Sequence, residues 1–115
     1  MLTDISRMRV HLKLGATDMR KSINTLSILV QDSMGMDPFG DSLYVFCNRR
    51  KDIIKILYFE TNGFCLWMKR LEKERFPWPE TKSEVMEVTR TQLGWLLSGL
   101  DFTKAHEQLK FSSVI

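Results

Sequence analysis

The sequence predicts an α+β fold: a single domain with a mostly antiparallel sheet, made of an N-terminal strand plus a three-stranded meander, and two main helices packed on one face. Three observations carry this. Residues 8–14 alternate between apolar and polar, the segment from Leu43 to Leu71 reads as three strands joined by two turns, and apolar residues recur at helical spacing within 19–34 and 89–98. A chain of 115 residues that is 43% hydrophobic and 27% charged, with six glycines and three prolines, has the composition of one globular unit. The domain is expected over 1–115, with its core in 8–102 and a tail at 103–115.

In Met8–Leu14, residues Met8, Val10, Leu12 and Leu14 share one side, and Arg9, His11 and Lys13 share the other. This is the period of a strand with one wet face, which puts His11 in solvent. Gly15 breaks the strand, and Thr17 and Asp18 offer capping oxygens for a helix from about Met19 to Met34, ended by Gly35. Met19, Ile23, Leu26 and Val30 form its apolar stripe. Arg20 and Lys21 fall in the first turns, where the helix dipole disfavours cations and favours a phosphate.

Asp37-Pro38-Phe39-Gly40 is a turn sequence leading into strands at about Leu43–Cys47, Ile53–Glu60 and Phe64–Leu71. If Asn62-Gly63 form a two-residue hairpin turn, Tyr58 faces Trp67, Leu57 faces Met68, and Lys55 falls opposite Arg70. Leu57, Phe59, Leu66 and Met68 then line the core, and the Tyr58–Trp67 side remains free. Phe76-Pro77-Trp78-Pro79 ends the sheet, because its prolines cannot donate ladder hydrogen bonds. Glu80 to Val88 carries no clear pattern. Thr89 and Gln92 form a capping box opening a helix to Ser98, with Leu93, Leu96 and Leu97 on one face and Gly99 beyond it. Residues 101–110 admit a weak reading as the second helix of a helix-turn-helix.

The net charge of +3 is modest, but its distribution is uneven. Residues 48–75 hold eight basic side chains against four acidic ones, and residues 1–47 hold five of each. A local excess of this kind is what gives a polyanion a place to sit. Candidate phosphate contacts are Arg20, Lys21, Arg49, Arg50, Lys51, Lys55, Lys69 and Arg70. Tyr58, Trp67 and Trp78 are candidates for base stacking or for a protein partner surface.

Other chemistry is excluded by what the chain lacks. The acids are scattered, His106 stands alone, and there is no glycine-rich phosphate loop or zinc-protease motif, so neither an enzyme nor a cofactor is expected. Cys47 and Cys65 lack metal-ligand spacing and read as reduced strand residues. No apolar run is long enough for a membrane span and the first ten residues have no signal-peptide core, which predicts a cytoplasmic protein.

Several blocks resemble the TnpB accessory-protein family of insertion-sequence-66 elements, which is unrelated to the RNA-guided nucleases sharing that name. They include Thr17-Asp18-Met19-Arg20-Lys21-Ser22, Val45-Phe46-Cys47-Asn48-Arg49-Arg50, Asn62-Gly63-Phe64-Cys65-Leu66-Trp67, Phe76-Pro77-Trp78-Pro79 and Leu96-Leu97-Ser98-Gly99-Leu100-Asp101. The resemblance implies a non-catalytic role in transposition beside a separate transposase, and it transfers no catalytic residues. Pro77 stands where the family commonly has arginine, which removes one expected charge beside Trp78. Two functions stay open: contact with the DNA backbone through the basic hairpin, or docking of the transposase through the aromatic surface without direct DNA contact.

Overall fold

The computed structural model describes residues 7–102. In chain order the elements are β1 (Arg9–Lys13), α1 (Ile23–Asp32), β2 (Ser42–Cys47), β3 (Ile53–Glu60), β4 (Gly63–Arg70), β5 (Val85–Val88) and α2 (Arg90–Leu97). The strands form one sheet in the order β4-β3-β2-β1-β5. β1 and β2 are parallel and joined through α1, the crossover a parallel pair requires; every other neighbouring pair is antiparallel. The α+β class and the meander are as the sequence predicts, and β1 takes its place between β2 and β5. The fifth strand is an addition. Val85, Met86 and Val88 are too few to carry a pattern, and the strand exists because β1 offers it a ladder, with Val10 opposite Val88 and Leu12 opposite Met86.

The helices do not share a face, contrary to the sequence-based expectation. α1 sets Leu26, Val30 and Met34 against Tyr44, Phe46 and Leu57. On the other side, Leu93 and Leu96 of α2 join Val10, Leu12, Val45, Ile54, Ile56 and Tyr58. The cause lies in β2: all six of its residues are buried, so both of its faces are apolar and each needs a cover. His11 is displaced from its expected wet position by the same fact. It is buried on the α1 side, its ring stacked at 22° and 6.1 Å on Tyr44, and burial lowers its pKa.

α1 starts later than its pattern suggests. Its N-cap is Ser22, and Met19 to Lys21 form a turn ahead of the helix, closed by the Lys21 N–H donating to the Asp18 carbonyl. Arg20 and Lys21 therefore precede the helix and do not occupy its first turn. α2 follows its capping box closely: the Gln92 N–H donates to Thr89 Oγ1 at 3.0 Å, and the Thr89 N–H donates to Gln92 Oε1 at 2.8 Å. Gly99 at φ +84° closes it, with the Gly99 and Leu100 N–H groups reaching back to the Leu96 and Trp95 carbonyls. The helix-turn-helix reading of 101–110 and the tail at 103–115 lie outside the described residues apart from Asp101 and Phe102.

The β3–β4 hairpin turns one residue earlier than expected. Glu60 pairs with Gly63, so Thr61-Asn62 make the turn, with Thr61 at φ +51° and the Asn62 N–H on the Glu60 carbonyl. Each expected partner shifts by two: Tyr58 faces Cys65, Trp67 faces Ile56, Lys55 faces Met68, and Arg70 faces Ile53. A shift of two leaves every side chain on its own face. The observed register sets Phe59 opposite Phe64, ring centroids 5.2 Å apart, and Phe39 packs on both.

Candidate nucleic-acid interface

The turn from Asn48 to Asp52 is built on the Asn48 side chain. Its Oδ1 accepts from the N–H groups of Asp52 and Ile53, both at 3.0 Å, and its Nδ2 donates to Asp52 Oδ1 at 2.6 Å. Lys51 sits at φ +61°, and its carbonyl accepts from the Phe76 N–H at 2.7 Å. The turn is thereby tied to the chain leaving the sheet. Short local bonds of this kind fix the backbone, and with it the points from which Arg49 and Arg50 leave the turn.

The eight candidate cations are dispersed among different tasks. Lys55 lies on the α1 side, where its ammonium donates to the Met19 carbonyl at 2.6 Å and to that of Lys21 at 3.4 Å. Lys69 lies on the opposite side and donates to the Leu97 carbonyl at the end of α2, at 2.9 Å. Both are half-buried and occupied. Arg20 forks onto Asp18, whose carboxyl is held down at about 2 by those hydrogen bonds. Lys51 is paired with Glu80, Arg70 with Glu72 at 3.2 Å, and Arg50 with Asp52 at 3.9 Å. Lys21 and Arg49 have no ion pair among the described residues, and Arg49 is exposed. Exposed pairs such as Arg20–Asp18 and Arg70–Glu72 are worth about 0–1 kcal/mol each, so a phosphate can displace them at little cost.

Arg49 stands between two clefts. One, of about 310 Å³, is lined by Gly15, Ala16, Asn48, Trp78 and Glu80; the other, of about 460 Å³, by Ala16, Thr17, Asp18, Asn48 and Arg50. Both are walled by the loop after β1 and the turn after β2, the carboxyl ends of the two parallel strands, the kind of place where open sheets bind ligands. Trp78, which lines the first cleft, and Thr17, which lines the second, each have one buried polar atom without a hydrogen-bond partner among the described residues, Nε1 and Oγ1. Leaving such a group unpaired costs about 1–3 kcal/mol. Sequence reasoning missed this arrangement, because Gly15–Thr17 and Trp78 approach Arg49 only through the fold.

The aromatic surface expected from Tyr58, Trp67 and Trp78 is not a surface. Tyr58 and Trp78 are 4% and 6% exposed, and Trp67 is half-buried against the same cluster, because α2 and the Phe76–Trp78 segment cover that side. Among the described residues the exposed aromatic group is on the other side, at Phe39, which is 61% exposed, with Met68 and Ile28 the other large exposed apolar residues of that side. Met68, expected in the core, is in solvent. Among the described residues no three His, Cys, Asp or Glu side chains are grouped to hold a metal ion, and burial pushes the Cys47 thiol up to about 12. No helix of the described residues is long and apolar enough to cross a membrane.

Fold and site together define a small α+β domain with an arginine-centred notch at one end of its sheet. The chain belongs to the IS66 Orf2-like protein family, which matches residues 8–107. This is a family of transposition-associated accessory proteins of insertion sequences and not a known catalytic family. Two relatives come from Sinorhizobium fredii (strain NBRC 101917 / NGR234): uncharacterized protein y4hO, 34% identical over 93% of each chain, and uncharacterized protein y4jC, 28% identical over 84% of this chain and 83% of its own. No solved structure matches the chain.

Proposed function

We propose that this protein is a cytoplasmic, non-catalytic accessory of an insertion sequence that contacts the DNA backbone and assists the transposase of the same element. The observation that carries the reading is Arg49, exposed between two clefts and without an ion pair among the described residues, with Arg50 beside it on a turn whose backbone is fixed by Asn48. A guanidinium is the side chain best matched to a phosphate, because its planar fork meets two oxygens at once. Lys55 and Lys69 are assigned to the fold instead, and Lys21, together with Arg20, Lys51 and Arg70 released from weak pairs, acts as a secondary contact. Backbone contact makes affinity fall with salt, by ~0.9 log units per neutralised phosphate for each log unit of salt. The test is a titration of element-end DNA at rising salt with the native chain and with Arg49→Ala/Arg50→Ala. A shallower slope and weaker binding in the double variant support the reading; a flat salt response in the native chain sinks it.

A second reading, a docking surface for the transposase, is favoured by the exposed Phe39 packed on Phe59 and Phe64. It would show as nuclease-resistant co-purification with the transposase, lost in Phe39→Ser.

A further inference from the structure

We infer that the two clefts flanking Arg49 form a site for one phosphodiester and the nucleoside attached to it, so that the protein grips an unpaired stretch of strand. The inference rests on the DNA-contact reading above and names what that contact takes. The clefts share Ala16, Asn48 and Arg49, so they are two halves of one notch divided by an arginine. Their volumes, about 310 and 460 Å³, lie in the range of sites for small organic groups.

The charge balance selects an anion. Both carboxylates that line the notch are already held by cations, Asp18 by Arg20 and Glu80 by Lys51, and Arg49 makes no ion pair among the described residues. The lining adds donors: Lys51 stands beside Arg49 in one half of the notch and Arg50 in the other, and an ammonium or a guanidinium donates only, which suits phosphate oxygens.

The shape selects an unpaired strand. A duplex keeps its bases stacked inside a convex rod, whose phosphates would meet Arg49 but leave recesses of this size unfilled. A nucleoside turned out of a single strand fills one. The floor is narrow in side chain and fixed in backbone: Gly15 holds φ +82°, Ala16 is small, and Asn48 anchors the facing turn.

The test is fluorescence anisotropy of the full chain with a labelled oligothymidylate and with a duplex of equal length. The native chain is expected to prefer the single strand by about tenfold or more. Arg49→Ala should remove that preference, and Arg49→Lys should recover only part of it, because the fork is lost while the charge stays. Arg75→Ala, an exposed arginine that does not line the clefts, is the control. If Arg49→Ala does no more than Arg75→Ala, or if the duplex binds as tightly as the single strand, the notch is not the site and the inference falls while DNA contact stands. If neither form binds, both readings fall together.

Discussion

The Lys69 ammonium donates a 2.9 Å hydrogen bond to the Leu97 carbonyl, tying edge strand β4 to the last turn of α2. That carbonyl is one a helix end leaves without an internal partner, and a cation there also meets the negative end of the helix dipole. A residue whose charge invites a nucleic-acid role thus serves as a cap.

Lys69→Ala should accordingly destabilise the protein by about 1–2 kcal/mol while leaving DNA affinity close to native. Urea unfolding and a binding titration of the same variant decide it. A variant that is fully stable but weak in binding would return Lys69 to the interface.

Two separate covers on one sheet predict two separate losses. Leu26 of α1 and Leu96 of α2 are both fully buried, on opposite sides. Leu26→Ala and Leu96→Ala should each cost about 2–5 kcal/mol. Chemical denaturation of the two variants checks both losses; near-native stability at either position would mean that its helix does not cover the sheet there.

Thr61 holds φ +51° at the hairpin turn, a conformation that costs a β-branched residue about 1–2 kcal/mol and costs glycine almost nothing. Thr61→Gly should raise stability, by somewhat less than that amount because glycine also loosens the unfolded chain. A drop in melting temperature would mean that the turn is centred elsewhere.

His11 gives the protein an acid sensitivity. Burial lowers its pKa below the ordinary 6.5, with Glu87 opposing and Arg9 reinforcing the shift. The unfolded chain then takes up a proton first as pH falls, so stability is full above 6.5 and declines as pH drops toward the lower folded value. His11→Phe, an aromatic against Tyr44, should flatten the melting temperature between about pH 7 and about pH 5. The Asp18 carboxyl, at about 2, titrates far below that window and does not confuse it. A native chain with a flat profile there would show that the imidazole charges freely in the fold.

The sequence by itself determined the elements that rest on local chemistry. The alternation of β1, the strands of the meander, the Thr89–Gln92 capping box and the Gly99 stop are contained in residues close along the chain, where period and capping need no distant partner. It also carried the family, through blocks spread from Thr17 to Asp101. Only the tertiary structure decided which side of each element faces inward. β2 is apolar on both faces, and nothing in its own residues says that α1 covers one and α2 the other; that choice buried His11, Tyr58 and Trp78 and left Phe39 and Met68 in solvent. It likewise drew Lys55 and Lys69 to backbone carbonyls 34 to 36 and 28 residues away in the chain. Arg49 was legible as a charge. Its isolation between two clefts was not, because the loop after β1 and Trp78 reach it through folding alone.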